Sequence, residues 1–214
     1  PDAILATNTS SKPVTELARE LQRPGNFCGI HFFNPAETMK LVEVVRGPLT
    51  SAQTIEQAKG YVRAIGKVPV VVNDGAGFLV NRVLSRYLAE SQHLLKDGFF
   101  PKDIDMAGKH AGCVMGPLDT LDLVGLDIAA EVLDTMIAAY GQRMECPTFS
   151  RKLLESGHKG QKTGQGFHSY PAGAKSGVPI SDPRVLAAEY TGDLRLLHGD
   201  PSLDYVARRL ALPL

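Results

Sequence analysis

Two short apolar runs, FCGIHFF at residues 27–33 and LVEVV at residues 41–45, indicate the fold of the first part of the chain. Runs of this length bounded by turn residues such as Asn34 predict buried strands. Each run contains one ionisable side chain, His31 in the first and Glu43 in the second. Because a buried carboxylate is costly unless it is paired, we expect neighbouring strands in which Glu43 accepts a hydrogen bond from His31.

Such a pair is suited to proton transfer. The hydrogen bond would fix the tautomer of His31 and leave its other ring nitrogen to act as a general base. The residues alone also allow a plainer interpretation, in which His31 is a satisfied core histidine and Glu43 pairs with a Lys or Arg. Both interpretations stay open at this level.

Outward from these runs, strand patterns alternate with helix patterns. We predict further strands at residues 3–7 and 68–72, and helices at 14–20 and 50–65. Strands that alternate with helices predict an α/β layer with a largely buried sheet.

From residue 75 onward the apolar residues recur with helical spacing only, which predicts a second, all-helical domain. A Pro-, Gly- and Ser-rich stretch at 171–183 is typical of a linker, and helical character returns towards Leu194 and at 205–214. The helices predicted before the linker lie at 78–96, 103–111, 126–140 and 149–155.

The composition is that of a globular protein, since 43% of the residues are hydrophobic and 23 Lys and Arg balance 23 Asp and Glu. These values exclude a disordered or fibrous chain and argue against a nucleic-acid partner. No apolar stretch approaches the ~18 residues of a membrane span. Cys28, Cys113 and Cys146 lack Cys-x-x-Cys spacing and the histidines lack metal-ligand spacing, so we expect reduced thiols and no metal.

Two polar segments lie where a ligand could bind. The loop from Asn8 to Ser11 leaves a strand and opens a helix, which is where α/β sheets contact ligands, although helix capping is the plainer explanation. Asn81 follows a Gly-rich turn at the start of a long helix, where a solvated Asn is also ordinary. Residues 160–166, GQKTGQG, are Gly-rich but lack the spacing of a P-loop.

These motifs, and their order along the chain, resemble those of the L-3-hydroxyacyl-CoA dehydrogenase family. The central match is GIHFFNP at 29–35 followed by MKLVEVV at 39–45. Ala76 and Val114 stand where the family commonly has Pro, and neither belongs to the matched site. The other matches are TNTSS at 7–11, GFLVNR at 77–82, MGPL at 115–118 with DLVGLD at 122–127, and KTGQGF at 162–167.

The resemblance implies an α/β fold followed by an all-α fold. Residues 1–74 would form the nicotinamide-proximal part of a Rossmann-like NAD-binding domain, 75–170 the helical C-terminal dehydrogenase domain, and 171–214 a linker and the start of a second helical repeat. The Gly-x-Gly-x-x-Gly turn that binds the pyrophosphate is not among the 214 residues. We therefore expect this chain by itself neither to bind NAD usefully nor to turn over substrate.

The activity implied by the resemblance is NAD-dependent oxidation of an (S)-3-hydroxyacyl-CoA to the 3-oxoacyl-CoA in fatty-acid β-oxidation. His31 would be the catalytic base and Glu43 would support it. The remaining matched positions are Ser10 and Asn81 for the acyl-CoA substrate, and Asn8, Asn34 and Lys162 for the cofactor.

The last residues, DYVARRLALP at 204–213, resemble the helix that opens the second C-terminal repeat of multifunctional β-oxidation proteins. We therefore expect an internal fragment of such an α-subunit, with a thiolase subunit as partner, in the bacterial cytoplasm or the mitochondrial matrix. The alternatives are a monofunctional 3-hydroxybutyryl-CoA dehydrogenase and, from another class, a non-catalytic, crystallin-like member. We expect the helical domain to form a homo-oligomer, or to pack against a second repeat, through 121–128 and the helix ending at Tyr140.

Overall fold

The computed structural model describes residues 3–10, 12–172, 177–179 and 203–211. The chain divides into two compact units, Pro1–Arg82 and Val83–Leu214. Most of the predicted linker and the helical character predicted near Leu194 lie outside the described residues. None of the helices within the described ranges is both long and apolar enough to cross a bilayer.

The first unit alternates strands with helices, as predicted, and the bounds agree with the prediction to within two residues. A short 3-10 turn at Pro24–Asn26 leads into the second strand. The elements are β1 Leu5–Thr7, α1 Val14–Arg19, β2 Phe27–Phe32, β3 Leu41–Arg46, α2 Ala52–Ala64 and β4 Val68–Asn73.

The four strands form one mixed sheet in the order β1-β2-β3-β4. β1 runs parallel to β2, and β3 runs parallel to β4, whereas β2 and β3 are antiparallel. The segment that joins β2 to β3 is too short for a parallel crossover, which needs about a dozen residues. The reversal places His31 directly opposite Glu43 in the register.

One helix covers each face of this sheet. Gly29 brings α1 close, because a Cβ at that position would lie 3.0 Å from the side chain of Val14 and 2.8 Å from that of Val45. Every second residue of a strand points to the same face of a sheet. His31 is two residues from Gly29 and Glu43 is two residues from Val45, so both lie on the face that α1 covers. The face under α2 is lined by Cys28, Ile30, Val42 and Val44, against which Ile55, Ala58 and Val62 pack.

The second unit is helical apart from one small hairpin. Its α5 was not among the predicted helices, although this helix begins at Pro117 and Pro is favoured at the first position of a helix. The elements are α3 Val80–Lys96, α4 Pro101–His110, α5 Pro117–Val124, α6 Leu126–Tyr140, α7 Phe149–Glu155, β5 His168–Ser169, β6 Val178–Pro179 and α8 Leu203–Ala211.

Helix α8 packs on the core of this second unit. Val206, Ala207 and Leu210 are buried in the cluster formed by the other helices. Arg209 donates from Nε to Glu90 on α3 at 2.8 Å and also pairs with Asp97, the residue that follows α3. The last described helix is therefore held by both apolar burial and ion pairs.

A buried ion cluster fixes the strand that follows the KTGQGF motif. Asp122 accepts hydrogen bonds from the amides of Phe167 and His168 at 2.9 and 2.8 Å and lies 3.0 Å from His168 Nδ1. His168 Nε2 lies 3.0 Å from Asp105 and 3.6 Å from Asp119. Asp105, Asp119 and His168 are close enough to share a cation, but the ion pairs already account for their contacts. Because the members of this cluster come from three elements, no local sequence pattern indicates it.

The charge of His168 is stabilised by its partners. Burial alone would lower its pKa, but the hydrogen bonds and charges of Asp105 and Asp122 outweigh burial and raise the pKa of His168 to about 9. Since the pKa is raised above its ordinary value of 6.5, the stabilisation is fully present below pH 6.5 and is lost as the pH rises through about 9.

We expect the free energy of unfolding to fall between pH 6.5 and pH 9, by on the order of 3 kcal/mol if the full pKa difference contributes. Urea unfolding of the chain, followed by circular dichroism across this range, measures the loss. His168→Gln should remove that pH dependence, whereas His158→Gln, a matched change on the same segment, should retain it. A wild-type chain whose stability does not change between these pH values would contradict the expectation.

Candidate active site

A histidine and a glutamate form a buried pair in the middle of the sheet. His31 Nδ1 lies 2.8 Å from Glu43 Oε2, and the two residues are 6% and 0% exposed. The pairing expected from the sequence is therefore observed. Because a carboxylate accepts hydrogen bonds, this contact favours the tautomer with the proton on Nδ1, and in that neutral tautomer Nε2 has the lone pair.

The other oxygen of Glu43 is held by the start of helix α3. The amides of Leu79 and Val80 both donate to Glu43 Oε1, each at 3.0 Å. These amides belong to the first turn, whose N–H groups have no partner within the helix, and negative charge is favoured there. The sequence analysis missed this contact, although a Gly-rich turn before a long helix is a place where backbone amides are accessible.

Aromatic rings surround the imidazole. The ring of Phe33 lies 4.8 Å from that of His31, and the ring of Phe78 lies 5.5 Å from it, both edge to face. Apolar neighbours of this kind limit access of water, so the contact between His31 and Glu43 is made in surroundings of low polarity. The arrangement suits a base that accepts a proton at Nε2.

Three of the predicted site residues lie at the carboxyl ends of the parallel strands β1 and β2. Asn8 follows β1, and its Oδ1 accepts a hydrogen bond from the amide of Phe32 at 3.1 Å. Ser10 is exposed in the loop after β1, and Asn34 is exposed after β2, joined to Pro35 by a cis peptide. Asn8 therefore links the two strand ends beside His31, and the exposed Ser10 and Asn34 lie at the same edge.

Asp74 anchors the loop that carries Ser10. Its carboxylate accepts hydrogen bonds from the amides of Val14 and Thr15, at 3.1 and 2.7 Å, and from the Thr15 hydroxyl at 2.5 Å. The start of α1 is thereby tied to the end of β4. Sequence analysis missed this role, since nothing in the local pattern indicates which helix Asp74 will cap.

The remaining two predicted residues lie in different units. Asn81 is half-buried in the first turn of α3. It follows Val80, whose amide donates a hydrogen bond to Glu43. Lys162 belongs to the second unit, where its ammonium pairs with Asp127 at the start of α6. The structure thus gathers Asn8, Asn81 and the His31–Glu43 pair in the first unit and gives Lys162 a local partner.

The first unit offers groups that fit the nicotinamide end of a dinucleotide. Ligands of α/β sheets bind outside the carboxyl ends of parallel strands, and here that edge carries exposed amide and hydroxyl side chains. A cavity of about 410 Å³ opens beside the same strands and α2. Its lining is Ile4, Ala6, Thr7, Asn8, Ile30, Phe32, Gln57, Ala58 and Tyr61.

Two family descriptions together match most of the chain. Residues 1–75 match the NAD binding domain of 3-hydroxyacyl-CoA dehydrogenase, and residues 77–170 match its C-terminal domain. These matches define a dehydrogenase family in which a Rossmann-like NAD-binding domain is followed by a helical C-terminal domain. The chain belongs to the 3-hydroxyacyl-CoA dehydrogenase family.

Solved structures agree with this assignment. The (S)-3-hydroxybutyryl-CoA dehydrogenase from Ralstonia eutropha is 35% identical over 78% of this chain and 60% of its own, with a TM-score of 0.75. The 3-hydroxybutyryl-CoA dehydrogenase from Escherichia coli is 37% identical over 81% of this chain and 38% of its own, also at 0.75. The dehydrogenase part of multifunctional enzyme 1 from C. elegans is 29% identical over 95% of this chain and 46% of its own, at 0.65. The chain thus spans between 38% and 60% of the length of these relatives.

Glu43→Gln should lower the free energy of unfolding by about 1–3 kcal/mol, because an amide presents a donor to at least one of the groups that now donate to the carboxylate. Thermal or urea unfolding of the chain measures this loss. Glu37→Gln, the same change at an exposed position, should leave stability unchanged. Equal stability of the Glu43→Gln chain and the wild type would show that the two amides and the imidazole do not depend on the carboxylate.

Proposed function

We propose that the protein oxidises an (S)-3-hydroxyacyl-CoA to the corresponding 3-oxoacyl-CoA with NAD⁺, as a step of fatty-acid β-oxidation. The observation that carries the proposal is the buried His31–Glu43 pair, 2.8 Å apart, at the carboxyl-end half of β2. A histidine whose tautomer is fixed by a carboxylate is the arrangement that proton abstraction from an alcohol needs. The family to which the chain belongs supports the choice of substrate and cofactor.

His31 takes the proton of the 3-hydroxyl group at Nε2. When bound, NAD⁺ supplies the acceptor for the hydride that leaves the same carbon. Glu43 keeps Nδ1–H oriented and balances the positive charge of the imidazolium that results. The two amides on Glu43 Oε1 keep the carboxylate in place during the charge change. The proton is thus held at Nε2 of an imidazole whose orientation is set before the substrate binds.

The polar residues at the strand ends bind and orient the reactants. Ser10 and Asn81 hydrogen-bond the reacting oxygen or the thioester carbonyl and so align the substrate for transfer. Asn8 and Asn34 contact the nicotinamide end of the cofactor. Lys162 is assigned to the cofactor by family resemblance alone, and this role would require it to exchange its partner Asp127.

The proposal extends to the domains of the chain, its partner and its compartment. The domains are the nicotinamide-proximal part of the NAD-binding domain at 1–74, the helical dehydrogenase domain at 75–170, and a linker with a further helix at 171–214. A multifunctional β-oxidation α-subunit with a thiolase partner, in the bacterial cytoplasm or the mitochondrial matrix, is supported by α8 and by the likeness to the C. elegans protein along 95% of the chain. A monofunctional 3-hydroxybutyryl-CoA dehydrogenase is the second candidate, supported by the likeness to the R. eutropha enzyme.

The helical unit offers a surface for a second copy of the chain. Leu123, Val124 and Ile128, at the junction of α5 and α6, are 55%, 46% and 45% exposed. They lie within the segment that the sequence indicated, while Leu121 and Leu126 between and beside them are buried. Exposed apolar side chains grouped in this way favour association.

In the full-length protein, His31→Gln should reduce turnover by about 10²-fold or more with little change in KM, because glutamine cannot accept and carry the proton. Reduction of acetoacetyl-CoA, followed by the absorbance of NADH, measures the rate. His110→Gln, at an exposed position, is the control and should retain full turnover. Near-normal turnover of His31→Gln would remove His31 from its role, and an inactive wild type would favour the non-catalytic class.

The chain should self-associate in solution, and Leu123→Asp together with Ile128→Asp should convert it to a monomer, because the two charges would be desolvated in the interface. Size exclusion with light scattering measures the mass. Val114→Asp changes an exposed apolar residue of the same unit, and this variant should have the same mass in solution as the wild type. A wild-type chain that is monomeric at high concentration would contradict the proposed surface.

A further inference from the structure

The turn that leads into helix α3 has an uncommon backbone conformation. Gly77 and Phe78 are consecutive residues in the left-handed region, with φ of +67° and +50°. Glycine adopts this region freely, whereas Phe78 is the one non-glycine residue with positive φ among those described. A position that needs positive φ is ordinarily filled by Gly or Asn, so a phenylalanine there requires a physical reason.

The backbone of Phe78 directs the next two amides. Immediately after it, the N–H groups of Leu79 and Val80 converge on Glu43 Oε1 at 3.0 Å each. Successive amides that follow a left-handed residue form a concave group of donors suited to one anionic oxygen. An extended or right-handed backbone at 78 would turn the chain before Leu79 and move both donors away from the carboxylate.

The side chain of Phe78 accounts for the conformation. Its ring is 4% exposed and packs edge to face on the imidazole of His31, at 5.5 Å between ring centres. It also belongs to the apolar cluster that includes Phe27 and Val45. Burial of the ring therefore holds the residue in the left-handed region, and the same residue contacts His31 directly and Glu43 through the amides that follow it.

We propose that Phe78 is a positioning residue for the dehydrogenase reaction. Its left-handed backbone places the Leu79 and Val80 amides on Glu43, and Glu43 then fixes the tautomer and orientation of His31. Phe78 acts through these two residues and takes no part in the proton transfer itself. The inference rests on the proposed function, and its test separates the two.

The kinetic test compares two substitutions that remove the same ring. In the full-length protein, Phe78→Val introduces a β-branched side chain that disfavours the left-handed region, whereas Phe78→Asn introduces a residue that tolerates it. We expect Phe78→Val to lower kcat about tenfold or more, with KM within about twofold of the wild type. Phe78→Asn should retain kcat within about threefold, since the backbone of the turn is kept.

A second readout does not depend on turnover. Hydrogen exchange of the Leu79 and Val80 amides, measured by NMR on the chain without cofactor, should be fast in Phe78→Val and slow in Phe78→Asn and the wild type. Phe27→Val is the matched control, because it removes a ring from the same cluster at a strand position where Val is favoured. It should change neither the exchange of these amides nor kcat. If Phe78→Asn does not fold, Phe78→Gly replaces it in both measurements.

The outcomes separate the explanations. A wild type with no activity would contradict the proposed function but leave the exchange experiment to decide on the turn. Equal losses of kcat in Phe78→Val and Phe78→Asn would assign the effect to the ring and overturn a backbone role. Protected amides and normal kcat in Phe78→Val would overturn the proposal altogether.

Discussion

The carboxylate of Glu43 is the charge around which the first unit is arranged. Its side chain is fully buried, and a buried charge without partners would destabilise the fold strongly. One oxygen is satisfied by His31 and the other by the amides of Leu79 and Val80. Strands β2 and β3 and the first turn of α3 must therefore come together for the charge to be tolerated. The carboxylate that pairs with His31 thus also binds the first amides of α3.

The second unit also contains a buried carboxylate whose two oxygens both have partners. Asp105 is buried, and its Oδ1 accepts a hydrogen bond from the amide of Leu118 in the first turn of α5, at 2.8 Å. Its other oxygen faces His168, as the second oxygen of Glu43 faces His31. In both units a buried carboxylate joins a helix start to a histidine. His168 lies between two carboxylates, which stabilise its charged form, whereas His31 faces one carboxylate and two aromatic rings.

Sequence reasoning succeeded where the pattern is local. The strand that carries His31 and the strand that carries Glu43 were predicted from short apolar runs between turn residues. The cost of an unpaired charge made their pairing one of two open interpretations, and the structure shows the pair. Helix α5 was missed because it has only eight residues and begins at a Gly-Pro pair, which is equally typical of a turn. The roles of Asp74 and Asp122 were missed because each binds amides more than 40 residues away, at separations of 59 and 46 in two of the contacts.

The order of the two folds, the elements of the first unit and the presence of one ionisable residue in each of two buried strands could be predicted from the sequence, since these depend on spacing and on the chemistry of single residues. Which backbone groups bind Glu43, and that Phe78 takes a left-handed conformation, became evident only in the folded chain. Hydrogen bonds between distant segments leave no periodic trace in a sequence, because any amide can donate to any carboxylate. Only the packing of β3 against the start of α3 selects the partners.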